Sequence, residues 1–281
     1  MTIGTMMKNK ATSKYADLEA ALKIDCEKCS GLCCVALYCM KSDGFPENKE
    51  AGVPCQHLRP DFRCVIHSQL GKKKMRGCLA YDCFGAGQKV TQSSDENWKT
   101  NPEKANEIFQ IFMMVFQLHQ MAWYLLEARS LVTDDRLKAE LEMLINKNMQ
   151  MTTAAALAEI LVMDTAEYKT RVNQVLKQVS DKVAVFPSDK KASKVYFGKN
   201  FKKANLDGRD FSMALMIAAN LEGCSLDKTN FLGADLRDAN IKDTDLSSCV
   251  FLTQMQINSA QGDSKTKLPI NLSCPSSWQS L

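Results

Sequence analysis

Residues 201–251 read FKKANLDGRDFSMALMIAANLEGCSLDKTNFLGADLRDANIKDTDLSSCVF. Every fifth position of this stretch is bulky and apolar: Phe201, Leu206, Phe211, Met216, Leu221, Leu226, Phe231, Leu236, Ile241, Leu246 and Phe251. Two positions before most of these stands a small residue, as at Ala204, Ala214, Ala219, Cys224, Thr229, Ala234, Ala239, Thr244 and Cys249. A period of five fits neither the 3.6 of a helix nor the 2 of a flat strand. Two side chains in five then turn inward and the others face solvent. Four repeats per turn bring residues twenty apart into register, which stacks Phe211, Phe231 and Phe251 in one ladder and Leu206, Leu226 and Leu246 in a second. A unit this small cannot bury its own apolar side and must stack on a neighbour. Lys199 and Arg209 stand where small residues are expected, so the first coil is irregular or lies against another part of the protein.

These residues closely resemble the pentapeptide-repeat family, whose loose consensus is Ala-Asp/Asn-Leu followed by two polar residues. Ala204-Asn205-Leu206, Ala219-Asn220-Leu221, Ala234-Asp235-Leu236 and Ala239-Asn240-Ile241 reproduce it, and Thr229-Asn230-Phe231 and Thr244-Asp245-Leu246 nearly do. The resemblance implies a right-handed quadrilateral β-helix. It implies little about activity, because function resides in sites rather than folds.

A second concentration of information lies between residues 26 and 83, which hold Cys26, Cys29, Cys33, Cys34, Cys39, Cys55, Cys64, Cys78 and Cys83 of the chain's 12 cysteines. Met1 to Lys23 shows no apolar run long enough for export, so the expected compartment is the reducing cytoplasm, where clustered cysteines are more often metal ligands than disulfides. A Cys-x2-Cys pair such as Cys26 and Cys29 bites one tetrahedral ion well, with thiolates about 2.3 Å from zinc. Adjacent Cys33 and Cys34 are expected to diverge, which points to two sites or to a cluster with shared ligands. The pattern resembles the Cys-x2-Cys-x2/3-Cys-Cys family of zinc- or iron-chelating domains. It is more closely similar to bacterial proteins in which CSGLCCVAL and YDCFGAGQ, here at 29–37 and 81–88, precede a pentapeptide tail.

The expected ligands are Cys26, Cys29, Cys33, Cys34, Cys55, Cys64, Cys78 and Cys83, dividing into two closed zinc sites, with iron or an iron–sulfur cluster as the alternative. Cys39 is left as a spare thiol. His57 and His67 lie close enough to Cys55 and Cys64 to replace a cysteine in a Cys3His site. Cys224 and Cys249 occupy small inward positions of the repeat and read as compact apolar side chains. His119, in an apolar segment with no nearby cysteine, reads as a packed histidine.

The net charge of +4 sits wholly with the cysteines: residues 1–99 carry 15 basic and 11 acidic side chains, residues 100–195 carry 12 and 12, and residues 196–281 carry 9 and 9. Such a surplus offsets the negative charge of thiolate-bound ions, although Lys72, Lys73, Lys74 and Arg76 also read as a solvated basic face. No basic stripe interleaved with aromatics marks a nucleic-acid surface.

Between these regions the chain reads as helices. Asn101-Pro102-Glu103 is a helix start. Ile108 to Leu126 carries no charged side chain, yet Gln110, Gln117, His119 and Gln120 favour a central buried helix over a membrane span. Leu137, Leu141, Leu144 and Ile145 outline a second helix, Ala154 to Met163 a third, and Asp164-x2-Glu167 a capping-box start to a fourth buried through Tyr168, Val172, Val175, Leu176 and Val179. Met113, Met114, Met121 and Met143 read as core. Residues 183–197, with Pro187, read as a bridge.

The expected fold is α+β and multi-domain: a cysteine-rich metal-binding segment at 1–99, a helical bundle at 100–187, a short β-helix at 188–262 and a capping tail at 263–281. Three functions compete. One is a non-enzymatic adaptor with a protein partner, the second an iron–sulfur or redox enzyme, and the third a DNA mimic that protects a topoisomerase, a role borne by some pentapeptide-repeat proteins. No nucleotide-binding glycine loop, Ser-His-Asp set or His-Glu-x2-His helix appears, and the isolated Gly85-Ala86-Gly87 is too short to count. The cysteine spacing also departs from the bacterial ferredoxin run.

Overall fold

A computed structural model describes residues 14–183 and 194–278. Pro187 and the boundary at 187/188 lie outside the described residues. Nine helices are found among the described residues: α1 (Ala16–Ala21), α2 (Leu32–Ala36), α3 (Arg76–Ala80), α4 (Ala86–Gln92), α5 (Ala105–Leu131), α6 (Asp135–Met151), α7 (Ala154–Leu157), α8 (Ala166–Val183) and α9 (Gln254–Ser259).

The uncharged segment is the middle of α5, which at 27 residues is about 40 Å long. Phe112, Val115, Leu118, Ala122 and Leu125 recur at helical spacing and are fully buried, so the helix forms the axis on which α4, α6 and α8 pack. None of the described helices is long and apolar enough to cross a membrane. Asn101 does not cap it. Pro102–Lys104 winds as a tight 3-10 turn first, and the Asn101 side chain donates to Glu96 Oε2 at 3.4 Å instead.

Asp134 caps α6 by accepting the Leu137 N–H at 2.9 Å, and the stripes of α6 and α8 are buried as their spacing requires. At the start of α8, Asp164 Oδ1 accepts the Ala166 N–H at 2.9 Å. The third helix stops at Leu157 because the chain continues in successive three-residue turns, with Glu159, Val162 and Met163 donating to Ala156, Glu159 and Ile160. Met114 and Met121 pack on the core, whereas Met113 and Met143 are exposed. The latter two fall on outer faces of their helices and are not core residues.

From Val195 the chain coils with twenty residues per turn. Parallel bridges join Val195 to Leu215, Asn200 to Asn220, Asn205 to Ser225, Asp210 to Asn230, Leu215 to Asp235, Asn220 to Asn240 and Asn230 to Val250. Each pairing is a single-residue bridge, and no described run extends into a strand, because the chain turns a corner every five residues. At the corners the bulky residue's carbonyl accepts the N–H three positions on, as in Ala204 to Phe201 and Ala219 to Met216. The residue between sits at positive φ, at Lys203, Met213, Ala218, Lys228, Asp238 and Asp243.

The Asp or Asn of each repeat serves the same corner: Asn205, Asn220, Asp235 and Asn240 accept the N–H two residues ahead. That is the local reason for the Asx-apolar pairing. Where the small inward residue is polar it donates to the carbonyl 23 positions back, Cys224 to Phe201, Thr229 to Leu206, Thr244 to Leu221 and Cys249 to Leu226. These groups are therefore buried but satisfied.

Phe231 stacks on Phe211 with ring centroids 5.8 Å apart. Phe251 leaves the ladder: its φ is 61°, and its ring meets Tyr124 of α5 edge-on at 6.3 Å. The regular corner ends there because α9 replaces a repeat. Asn240 then pairs with Gln261 and Asp245 with Lys267, so the segment after α9 continues the stack, and Trp278 and Leu272 close it. The cysteine-rich segment and the helices share one core that also takes in Val250 and Phe251.

Candidate functional site

The cysteines are placed by short elements leaning on α5. Asp25 opens a 3-10 turn over Cys26–Lys28 by accepting the Glu27 N–H, and its own N–H donates to Gln88 Oε1 at 2.6 Å. The Ser30 N–H donates to Thr91 Oγ1 at 2.9 Å, and Trp98 Nε1 donates to Ser30 O at 2.7 Å. These bonds fix Cys29 against α4. In α2, Leu32 and Val35 are buried, which leaves Cys33 and Cys34 on the remaining arc of the helix. Cys78 rides on α3, and Cys83 lies three residues before the start of α4.

Two sets of thiols result. Cys26, Cys29, Cys33 and Cys83 line one small recess floored by Phe112 and edged by Gly87. A Cβ at Gly87 would lie 2.7 Å from Cys29 Sγ, so only glycine lets the helix backbone approach that sulfur this closely. The Gly85-Ala86-Gly87 run thus serves the sulfur recess.

The other thiols of the segment are Cys34, Cys39, Cys55, Cys64 and Cys78. Burial first, and then the charges of the other four, push the Cys78 thiol up to about 12. The Cys55 N–H donates to Cys34 O at 2.9 Å, and Cys39 exchanges backbone bonds with Lys49. Lys49 Nζ ties this loop together by donating to Val35 O, Glu50 O and Val53 O.

The sets meet at the adjacent pair. Cys33 Sγ and Cys34 Sγ are 4.0 Å apart, near the edge of about 3.8 Å that bonds of about 2.3 Å give a tetrahedral ion. The expectation that neighbouring thiols diverge does not hold here, although Cys33 interacts with Cys29 and Cys83 while Cys34 responds to Lys49. Cys39 Sγ donates to Leu37 O at 3.8 Å. His67 is exposed, and His57 is half-buried with its carbonyl accepting the Val65 N–H.

Burial, with neighbouring thiols adding to it, pushes Cys26 up to about 12. Burial likewise pushes Cys83 up to about 11, even though the N–H groups of Gly87 and Gly85 favour its thiolate. Among the described residues no three or more His, Cys, Asp or Glu side chains are already gathered as a metal site. The donor set nevertheless has the chemistry of one: nine soft ligands, all free thiols, among which burial opposes the ionisation of Cys26, Cys29, Cys39, Cys64, Cys78 and Cys83. A thiophilic cation removes that opposition.

His119, two turns along α5 from Phe112, is taken up elsewhere. Its Nδ1 lies 2.7 Å from Phe84 O, and burial lowers its pKa to about 4. It is the packed histidine the sequence indicated.

A second polar constellation joins α5 to the coils. Trp123 Nε1 donates to Leu252 O at 3.0 Å, and Glu127 Oε1 accepts the Phe251 N–H at 2.6 Å while Oε2 is buried without a partner. Asn230 Nδ2 donates to Ser180 Oγ of α8. A half-open cleft beside this joint is lined by Tyr81, Gln120, Tyr124, Asp235 and Arg237. Sequence reading passed over Glu127 and Trp123; the one signal was a charged residue closing a long uncharged helical run.

Residues 214–251 match the family described as Pentapeptide repeats, in eight copies. Over 266 residues the chain is 40% identical to the uncharacterized protein YybG of Bacillus subtilis (strain 168), covering 92% of this chain and 95% of that protein. No solved structure matches the chain.

Proposed function

The chain belongs to the family of Bacillus subtilis YybG, and we propose that it is a non-enzymatic cytoplasmic adaptor. In this reading a short right-handed quadrilateral β-helix is held rigidly on a metal-stapled helical body and offers its surface to a protein partner. The observation that carries the reading is the pinned joint. Trp123, Glu127 and Ser180 bond to Leu252, Phe251 and Asn230, so body and coils are presented as one rigid surface. Exposed apolar side chains on the coils, Phe197, Met213 and Leu215, favour a protein partner.

We assign zinc to the thiols, in two sites. Cys26, Cys29, Cys33 and Cys83 would hold one ion, and Cys34, Cys55, Cys64 and Cys78 the other, each ion acting as a cross-link in a segment with few large buried side chains. Metal analysis of protein purified without oxygen tests this. About two zinc per chain and no colour supports it; stoichiometric iron with sulfide and charge-transfer absorption would replace it with the iron–sulfur reading.

The DNA-mimic reading is disfavoured by charge. Residues 197–261 carry 7 basic and 8 acidic side chains, whereas duplex DNA presents one negative charge per about 1.7 Å. Protection of DNA gyrase at stoichiometric concentration would reverse this judgement.

A further inference from the structure

We propose that the coil face carrying Leu215 and Ile217 is a two-fold interface whose occupant is a second copy of this chain, packed coil against coil and antiparallel. This rests on the reading of the coils as a protein-binding surface and names the partner.

The outward position ahead of each bulky residue is polar throughout the coils except at Val195, Leu215 and Val250. An aliphatic side chain there gives up the bond that Asn205, Asn220 and Asp235 make to the N–H two residues ahead, so the corner itself does not favour it. Val250 shows what does: it is buried in the core shared with the helical body. The outward position that follows each bulky residue behaves alike. Leu232 packs on the helical body, whereas Phe197 is 69% exposed and Ile217 only half-buried. Apolar outward side chains of these coils therefore mark covered surface, and Phe197, Met213, Leu215 and Ile217 form a group that the single chain leaves uncovered.

The group shares one face. Leu215 bridges to Asp235 one turn below, and Met213 Sδ lies over Gly233, 2.6 Å from where a Cβ would stand. Phe197 and Arg237 are two turns of twenty residues apart in one column, about 10 Å along the coil axis. That spacing makes the face self-complementary. A two-fold axis lying in the face, across the coil at the level of Leu215 and Ile217, sets both residues on their own copies and brings Phe197 over the partner's Arg237. Asp235 holds the Arg237 guanidinium at 2.6 and 2.9 Å while the side chain stays 66% exposed, which leaves it open to an aromatic ring. The contact occurs twice, as in any isologous interface. Charges bordering the face are paired within the chain, Arg237 with Asp235 and Arg76 with Asp238, which suits an apolar neighbour rather than a polyanion. Three stacked turns span about 14 Å, so the interface falls below the standard size of about 800 Å² per partner, and its dissociation constant should be on the order of tens of micromolar.

Sedimentation velocity on the full chain, purified without oxygen, tests this between ~1 and ~300 µM, a range that brackets such an interface. The mass should rise from monomer to dimer across it. Leu215→Asn installs the side chain this position carries at Asn205 and Asn220, so the corner still folds, and it should weaken association roughly tenfold or more. Phe197→Ala and Arg237→Ala should each weaken it about fivefold, and the double variant no more than either alone, because one contact is removed from both sides. A chain that is monomeric throughout overturns the second copy as occupant and leaves the face to a different protein. A dimer that all three substitutions leave unchanged uses another surface, and overturns this inference together with the reading of this coil face as a binding surface. Additive losses at Phe197 and Arg237 overturn the antiparallel register.

Discussion

The carboxylate of Glu127 accepts the backbone N–H of Phe251 at 2.6 Å, 124 positions further along the chain. It thereby links the centre of the helical body to the last regular corner of the coils. Burial pushes this carboxyl up from 4.5 to about 7, against the opposing effect of the Phe251 bond. Tyr124 on the same helix and Cys249 on the coils feel its charge.

A raised carboxyl favours the proton in the folded state. Its contribution is complete below about pH 4.5 and is lost as pH rises through about 7, because the unfolded chain ionises first. At about 1.4 kcal/mol per pH decade the loss is on the order of 3 kcal/mol. Glu127→Gln keeps an acceptor for Phe251 and removes the titration. The difference in thermal midpoint between variant and parent should therefore grow in the variant's favour from pH 5 to pH 8; a constant difference would assign Glu127 an ordinary carboxyl.

Phe231 is fully buried and stacked on Phe211. Phe231→Ala should cost about 3–5 kcal/mol through lost burial and a residual cavity, read as a lower denaturant midpoint for the coil transition. An unchanged midpoint would mean the ring is not part of the coil core.

Corners at positive φ give opposite signs for two small substitutions. Ala218 holds φ 55°, a conformation in which a side chain costs roughly 1–2 kcal/mol and glycine little, offset in part by glycine's entropy. Ala218→Gly should leave stability unchanged or raise it by up to about 1 kcal/mol. At Gly233 a Cβ would meet Met213 Sδ at 2.6 Å, and Gly233→Ala should destabilise by more than about 1 kcal/mol. Equal effects at the two corners would show that stacking and φ are not what set the residue there.

Chelation should act on one part of the molecule. If the thiols hold zinc, its removal should raise proteolysis and amide exchange between residues 26 and 83 while the coil amides stay protected, because binding free energy there is folding free energy. Coil amides that lose protection in parallel would mean the segment and the coils unfold together.

The coils were legible because period, corner chemistry and inward volume all act within twenty residues. The Asx-apolar pair announces its own N–H acceptor, and residues such as Leu226 and Phe231 fall where spacing puts them. Phe251 was misplaced because its fate is decided by Tyr124 and Glu127, more than a hundred positions away. The cysteines were legible as a group through density and spacing, and their partition was not. Which way Cys33 faces depends on how Leu32 and Val35 are buried, and Cys39 is held by a backbone pairing with Lys49 that no local pattern signals.

The joint also fixes where the coils can lengthen. Along α5, Tyr124 faces the coil turn that contains Gly233 and Glu127 faces the next, at Phe251. Three helical residues advance about 4.5 Å, and one stacked turn rises about 4.8 Å. The helix works as a vernier with one division per turn. A duplication between Gly233 and Phe251 would push its two marks out of step even if it added a whole turn of twenty. Duplication ahead of Asn230 would leave both marks aligned, so this architecture can gain length there without disturbing the joint.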